Sequence, residues 1–301
     1  MQTQVHTLDL DFQGIPATIA SYLVPHAHGA ILVESGPGST LPALKKGLAT
    51  HGFTFEDISD VLLTHIHLDH AGAAGWLARQ GAQIHVHEVG APHMLNPEKL
   101  LNSATRIYGD WMDALWGEFL PVPEDKLNIL SGDGVLDLQG LSFHYIDTPG
   151  HARHHLVYVL DDLCFSGDVG GVRLPGPMFL RLPTPPPEFH IESWRTSIAK
   201  LKDSGFARIA PTHFGIFEDA PKHLDLLAST LEAVERWMEA MLPNIPEREA
   251  LREPFASWEY ERCNAAGLDQ KTLHAYSLAM PLGMGADGIW RYWQKFRASQ
   301  F

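Results

Sequence analysis

The sequence predicts an α/β fold, and three observations carry that reading. Short β-rich apolar runs alternate with segments of helical apolar spacing through the first third of the chain. Several metal-competent side chains stand in turns directly behind β-like runs, where the sites of α/β proteins gather. The 301 residues, 45% of them hydrophobic and 19% charged, also suffice for one large domain with an appendage.

In chain order, "ATIASYLV" and "GAILVES" read as strands joined through "PHAH". "TLPALKKGLATHG" has helical apolar spacing and stops at glycine. "ISDVLLT" is a short strand, "AGAAGWLARQGA" a helix and "QIHVHE" a strand. The stretch at about 91–120 is helical and aromatic and reads as an insertion. Strand patterns return in "GVLDLQ", "LSFHYIDT", "HLVYVLD" and "DLCFSGD". "RLPGPMFLRLPTPPPEF" is too proline-rich for a central strand. A helix, "HIESWRTSIAKLKDSG", and a strand, "ARIAPTHFG", close this part at residue 218. Residues 219–301 form a helical region with three helical stretches, "HLDLLASTLEAVERWMEAML", "EREALREPFASWEYERCNAAG" and "DQKTLHAYSLAM". Its tryptophans make it too apolar for a free tail, so it packs on the α/β part or forms a homodimer contact.

A formal charge of −14 and a pI near 5.6 disfavour nucleic acid, because an acidic surface repels phosphate and no dense Lys/Arg cluster offsets it. No apolar run is long enough for a membrane span. The N-terminus lacks a basic region followed by an apolar one, and Cys164 and Cys263, the two cysteines, read as reduced thiols. These features point to the cytoplasm and to a small-molecule partner.

The chemistry concentrates in "DVLLTHIHLDHAGAAG". Along an extended chain His65 and His67 project to one side, Asp69 keeps that parity, and His70 follows where the chain enters a helix. Unprotonated imidazole and carboxylate at this spacing suit a divalent metal; a histidine-rich exposed turn is the competing reading. His151 in "DTPGHA", Asp168 in "FSGDV" and His213 in "APTHFG" each follow a β run, so all could meet at one sheet edge. His26 and His28, and His85 and His87, share the His-x-His spacing but lack an acidic partner or a turn, and read as structural or surface residues. His154 and His155 in "RHH" read as a solvated turn, with support of His151 as the other option.

The order His-x-His-x-Asp-His, then His, Asp and His, resembles the metallo-β-lactamase superfamily over roughly residues 18–215, in its glyoxalase II and lactonase branch. That resemblance implies an αββα sandwich with two divalent ions at one edge, zinc first and manganese or iron as alternatives. It assigns His65, His67 and His151 to one ion, Asp69, His70 and His213 to the other, and Asp168 to both. The sequence departs from the family in "ESG", where Glu34 replaces the usual aspartate of Asp-Thr-Gly, a supporting position.

Two such ions generate a hydroxide at neutral pH and stabilise an oxyanion, with Asp69 as ligand and orienting group. The expected reaction is hydrolysis of a small ester, thioester or lactone. The alternative is an oxidoreductase resembling the mononuclear-iron persulfide dioxygenases. Tyr108, Trp111 and Phe179, from the insertion and the proline-rich loop, are the candidate substrate contacts; packing within the core would explain the same aromatics.

Overall fold

Residues 2–245 and 247–298 are described in a computed structural model. Six strands form the first sheet in chain order: β1 (His6–Asp9), β2 (Ala20–His26), β3 (Gly29–Val33), β4 (Ile58–Leu62), β5 (Gln83–His87) and β6 (Leu127–Leu130). The first three pair antiparallel and the rest parallel. The second sheet has the order β11-β10-β9-β8-β7, from β7 (Gly134–Leu138), β8 (Leu141–Asp147), β9 (Leu156–Leu160), β10 (Leu163–Phe165) and β11 (Arg208–Ala210).

Two-residue periodicity sets the layers. In β3, Ala30 and Leu32 join the core under the outer helices, whereas Ile31 and Val33 face the second sheet. In β9, Val157 and Val159 face outward to helices, while Leu156, Tyr158 and Leu160 face inward. Strands apolar on both faces must be covered on both faces, and the αββα sandwich follows.

Helices α1 (Leu41–Thr50), α2 (Leu68–Ala71), α3 (Ala74–Arg79), α4 (Ala91–Leu95), α5 (Glu98–Tyr108) and α6 (Met112–Trp116) accompany the first sheet. The last three fall within the stretch read as a helical insertion. Helix α7 (Ile191–Asp203) covers the second sheet, followed by α8 (Ala220–Met241), α9 (Arg252–Ala265), α10 (Gln270–Ala279) and α11 (Leu282–Phe296). Trp194 of α7, Leu227 of α8, Phe255 of α9 and Ile289 of α11 share one buried cluster with Val157 and Ile209 of the sheet. Each such side chain contributes on the order of 2 kcal/mol by leaving water. No helix among the described residues is long and apolar enough to cross a membrane.

Three elements are additional to the sequence reading. Strands β1 and β6 are four residues each, and His6, Thr7, Asp9 and Asn128 leave them without a continuous apolar run. Helix α11 carries Gly283, Gly285 and Gly288, which cost helix propensity. Its packing overrides that cost, because a Cβ on Gly288 would stand 1.9 Å from the Thr184 carbonyl oxygen. Positions 246 and 299–301, part of the helical region inferred from sequence, lie outside the described residues, as does position 1.

Candidate metal centre

All the strand ends that carry the candidate ligands open at one edge of the sandwich. The segment 63–67 leaves β4, residues 148–151 leave β8, Gly167 and Asp168 leave β10, and His213 follows β11. His67 is extended, but Asp69 lies in the first turn of α2, whose N-terminal flank is His67. Helical geometry, not strand parity, aims Asp69 and His70. Gly167 lets the loops close: its φ is +50°, and a Cβ there would stand 2.5 Å from Thr64 Oγ1 and 2.7 Å from His155 Nε2.

The structure brings together all seven residues. His65 Nε2 and His151 Nε2 each lie 2.9 Å from His67 Nδ1. Asp168 Oδ2 is 3.4 Å from His151 Nε2. Its other oxygen, Oδ1, is 3.4 Å from His70 Nε2 and 3.5 Å from His213 Nε2. Asp69 Oδ2 is 3.5 Å from His70 Nε2 and 3.3 Å from His213 Nε2. Two donor groups take up these seven residues, His65/His67/His151/Asp168 and Asp69/His70/His213, and a third, Glu34/His65/His70, overlaps both; each has its atoms within 4.8 Å of one another. Asp168 faces one group with each oxygen.

Four of the imidazoles are held from behind by an oxygen. Thr64 Oγ1 is 3.0 Å from His65 Nδ1, and Glu34 Oε1 is 2.9 Å from His70 Nδ1. The Pro183 carbonyl is 2.8 Å from His151 Nδ1, and the Thr18 carbonyl is 2.7 Å from His213 Nδ1. An acceptor on Nδ1 puts the ring proton there and turns the Nε2 lone pair toward the other ligands, the arrangement typical of metal-binding histidine.

A divalent ion fits these residues. His70 Nε2, Asp168 Oδ1 and His213 Nε2 are buried without a hydrogen-bond partner. Orphaned polar atoms cost about 1–3 kcal/mol each, and three that converge form a donor set of imidazole nitrogen and carboxylate oxygen suited to a zinc-like ion.

The electrostatics agree. Burial, reinforced by neighbouring imidazoles, pushes His65, His154 and His155 well below the ordinary histidine range and His67 down to about 3. For His65 and His67 that is the neutral form in which an imidazole can bind a metal. Burial also opposes charge on His70 and His213, but Asp69 and Asp168 outweigh it and raise both. Burial opposes charge on Asp69 and Asp168 too, and His70 foremost among the histidines holds both carboxyls low. A cation entering here displaces protons, so binding releases them.

Other residues singled out by sequence take different places. His85 Nε2 is 2.7 Å from Asp60 Oδ1 and its Nδ1 accepts from Asn128 at 2.8 Å, so this histidine is a buried structural link between strands. His87 Nε2 stands 3.4 Å from Asp147, and His26 is within 3.1 Å of Ser59. His154 and His155 do not form a solvated turn. Both are buried, His155 stacks on His65 at 5.0 Å, and its Nε2 accepts from Val169 N at 3.2 Å. A turn clamped between sheets can bury its polar rings when backbone partners satisfy them, and the sequence shows no sign of that clamp.

Tyr108 is half-buried at the insertion, 3.4 Å from Met284 Sδ of α11 and edge-on to Trp116. Burial and the Asp69 charge both push its phenol up. Trp111 is 69% exposed. Phe179 is buried in a cluster with Cys263 and Tyr276. Sequence reasoning did not find Thr18, Thr64 and Pro183 as partners of the histidines, and two of these act through backbone carbonyls, which leave no side-chain signal.

A family model described as the metallo-beta-lactamase superfamily matches residues 15–213. A metallo-beta-lactamase fold-containing protein of Sulfurisphaera tokodaii is 34% identical over 165 residues, 52% of this chain and 62% of that protein. An atrochrysone carboxyl ACP thioesterase of Aspergillus fumigatus is 24% identical over 208 residues, 68% of this chain and 40% of that protein. A hydroxyacylglutathione hydrolase of Rhodopseudomonas palustris is 32% identical over 123 residues, 40% of this chain and 36% of that protein. The matched stretches thus span less than two thirds of each of these relatives. Among solved structures, a metallo-beta-lactamase family protein of Thermus thermophilus aligns with a TM-score of 0.67 at 21% identity. That alignment covers 97% of this chain and 93% of the other, and at this identity it is a likeness of fold.

Proposed function

The chain belongs to the metallo-β-lactamase superfamily, and from that premise we propose that it is a metal-dependent hydrolase of a small ester, thioester or lactone. The observation that carries the reading is the convergence of His70 Nε2, Asp168 Oδ1 and His213 Nε2, buried and without hydrogen-bond partners, beside a second group of three imidazoles. His65, His67 and His151 would hold one divalent ion, Asp69, His70 and His213 the other, with Asp168 shared; zinc suits this donor set, and manganese or iron could replace it. Bound there, the ions supply Lewis acidity that lowers the pKa of water toward neutrality and polarises an acyl carbonyl.

The protein's own groups do the rest. Asp69, whose side chain is 19% exposed, is the candidate carboxylate most open to the mouth of the site; it accepts a hydrogen bond from the attacking water and orients it. Tyr108 of α5, bonded to Met284 Sδ of α11, feels the Asp69 charge. A covalent route has little support: burial pushes the Cys164 thiol up, and Cys263 is raised by burial beside Arg181. No Gly-x-Ser-x-Gly elbow occurs in the sequence. The names of two relatives, a thioesterase and a hydroxyacylglutathione hydrolase, favour a thioester within this substrate range.

The test is turnover of model thioesters, esters and lactones before and after chelation. Activity should vanish in EDTA and return with Zn²⁺ or Mn²⁺. Turnover that persists without metal, or that consumes oxygen on a persulfide substrate, would replace this reading, the latter with the iron dioxygenase alternative.

A further inference from the structure

We propose that helix α11 positions the His151 imidazole, acting through Thr184 and Pro183, and so tunes the ion held by His65, His67 and His151 in particular. The proposal rests on the metal-centre reading above and adds to it a device in the C-terminal helices, outside the matched residues 15–213.

The chain of contacts is short. His151 Nδ1 donates to the Pro183 carbonyl at 2.8 Å. That carbonyl belongs to the segment 171–190, which closes on itself through an isolated antiparallel bridge between Val172 and Arg181, and Pro183 lies two residues past that bridge. The next residue, Thr184, donates through Oγ1 to the Gly285 carbonyl of α11 at 3.1 Å. Gly288, one turn further along, lies against the same segment: a Cβ there would stand 1.9 Å from the Thr184 oxygen and 2.9 Å from Pro185 C and Pro186 N. Two glycines spaced by three residues make a bare strip on one helical face, and the loop's backbone rests on it. In a helix interior each glycine forfeits about 1 kcal/mol against alanine; close approach to the loop is what the strip provides in return.

The loop is also pinned upstream. Tyr276 Oη of α10 donates to the Phe179 carbonyl at 3.0 Å and accepts from Leu174 N at 3.1 Å. Arg181 forms a buried ion pair with Glu259 of α9. Pro183 and Thr184 follow this pinned stretch directly, and Thr184 is tied to α11. The other imidazoles are held elsewhere, His65 by Thr64, His70 by Glu34 and His213 by the Thr18 carbonyl, and the loop's bonds to the backbone of His213 and Phe214 come from Arg173, not from 183–184. A change at Thr184 consequently reaches one imidazole, and a lesion there should be selective.

Thr184→Val keeps the shape and removes the bond to Gly285. Co²⁺ titration with visible spectroscopy reads the effect, in a His70→Ala background that leaves only the His151 group complete and in a His65→Ala background that leaves the His213 group. In the first, Thr184→Val should weaken Co²⁺ about tenfold, the low end for outer partners of a ligand, and alter the ligand-field bands. In the second, it should change nothing. Thr184→Ser should restore affinity and spectrum, and Gly288→Ala, where it folds, should reproduce the loss. Affinity and spectrum equal to the parent in both backgrounds, or a lowered Tm with unchanged Co²⁺ binding, would overturn the positioning role alone. A wild-type chain that binds no Co²⁺ would remove the metal reading and this proposal with it.

Discussion

Glu34 accepts the Nδ1 hydrogen of His70 at 2.9 Å from a residue whose own backbone is left-handed, with φ of 68°. The carboxylate is buried and also accepts from Thr64 Oγ1 and, at 3.0 Å, from Thr212 Oγ1. One side chain thus ties the end of β3 to the loops after β4 and β11. A non-glycine residue in this conformation carries about 1–3 kcal/mol of strain, which the carboxylate's four bonds, the fourth from Thr64 N at 3.3 Å, offset. Glutamate at this position supports His70 as the sequence reading expects of a supporting residue.

The first prediction concerns that tether. Glu34→Asp withdraws the carboxylate by one methylene, so its bond to His70 should be lost while the charge remains. The ion at Asp69/His70/His213 should bind about 10–100-fold more weakly, as measured by calorimetric titration with Zn²⁺. Unchanged affinity would show that Glu34 serves folding alone.

A second prediction follows from the two faces of Asp168. Its Oδ2 lies toward His151 and its Oδ1 toward His70 and His213, so Asp168→Ala should disturb both ions. Elemental analysis of the purified variant should find both depleted, with turnover reduced on the order of 100-fold or more. Loss of one ion with the other at full occupancy would argue against a shared carboxylate.

How much of this was legible in sequence depends on how local each signal is. His65, His67, Asp69 and His70 lie within six positions, so their joint meaning survives without knowledge of the fold. His151, Asp168 and His213 became legible through the β runs before them. The oxygens behind the histidines did not: the carbonyls of Thr18 and Pro183 belong to residues whose side chains say nothing about metal. Helix α11 was hidden because its glycines lower propensity for the same reason that they matter, the approach of residues 184–186. The burial of His154 and His155 was masked by polarity, since a polar turn reads as solvated until its hydrogen-bond partners are known.

The third prediction is one of pH. His223 in α8 is fully buried; its Nε2 donates to the Gly170 carbonyl at 2.7 Å and its Nδ1 accepts from Arg173 at 3.3 Å. Burial first, and the Arg173 charge, outweigh the Gly170 bond and Asp219 and lower its pKa to about 4. Below the ordinary value of 6.5 the unfolded chain takes up a proton that the folded chain refuses. Stability is therefore fully present above about 6.5 and is lost as pH falls toward about 4, by roughly 3 kcal/mol from this residue. His223→Gln, compared with wild type by urea unfolding in chelator across that window, should flatten the decline. Parallel pH profiles would refute the assignment.

The last prediction separates what a buried ion pair does for stability from what it does for architecture. Arg181 and Glu259 are both almost wholly inaccessible, with Arg181 Nε 3.3 Å from Glu259 Oε2 and Nη2 3.3 Å from Cys263 Sγ. Arg262, which also pairs with Glu259, retains 20% side-chain exposure and can turn to solvent. Arg181 has no such exit, and its Nη1 already lacks a partner. Glu259→Leu alone should therefore cost about 3–5 kcal/mol, because it strands a buried guanidinium. Arg181→Met combined with Glu259→Leu removes both charges and leaves an apolar side chain over the Tyr276 ring, where the Arg181 guanidinium now lies, so much of that loss should return. Urea unfolding of the two single variants and the double gives the coupling directly. A double variant no more stable than Glu259→Leu would mean that the pair holds the loop 171–190 on α9 by geometry that apolar packing cannot replace.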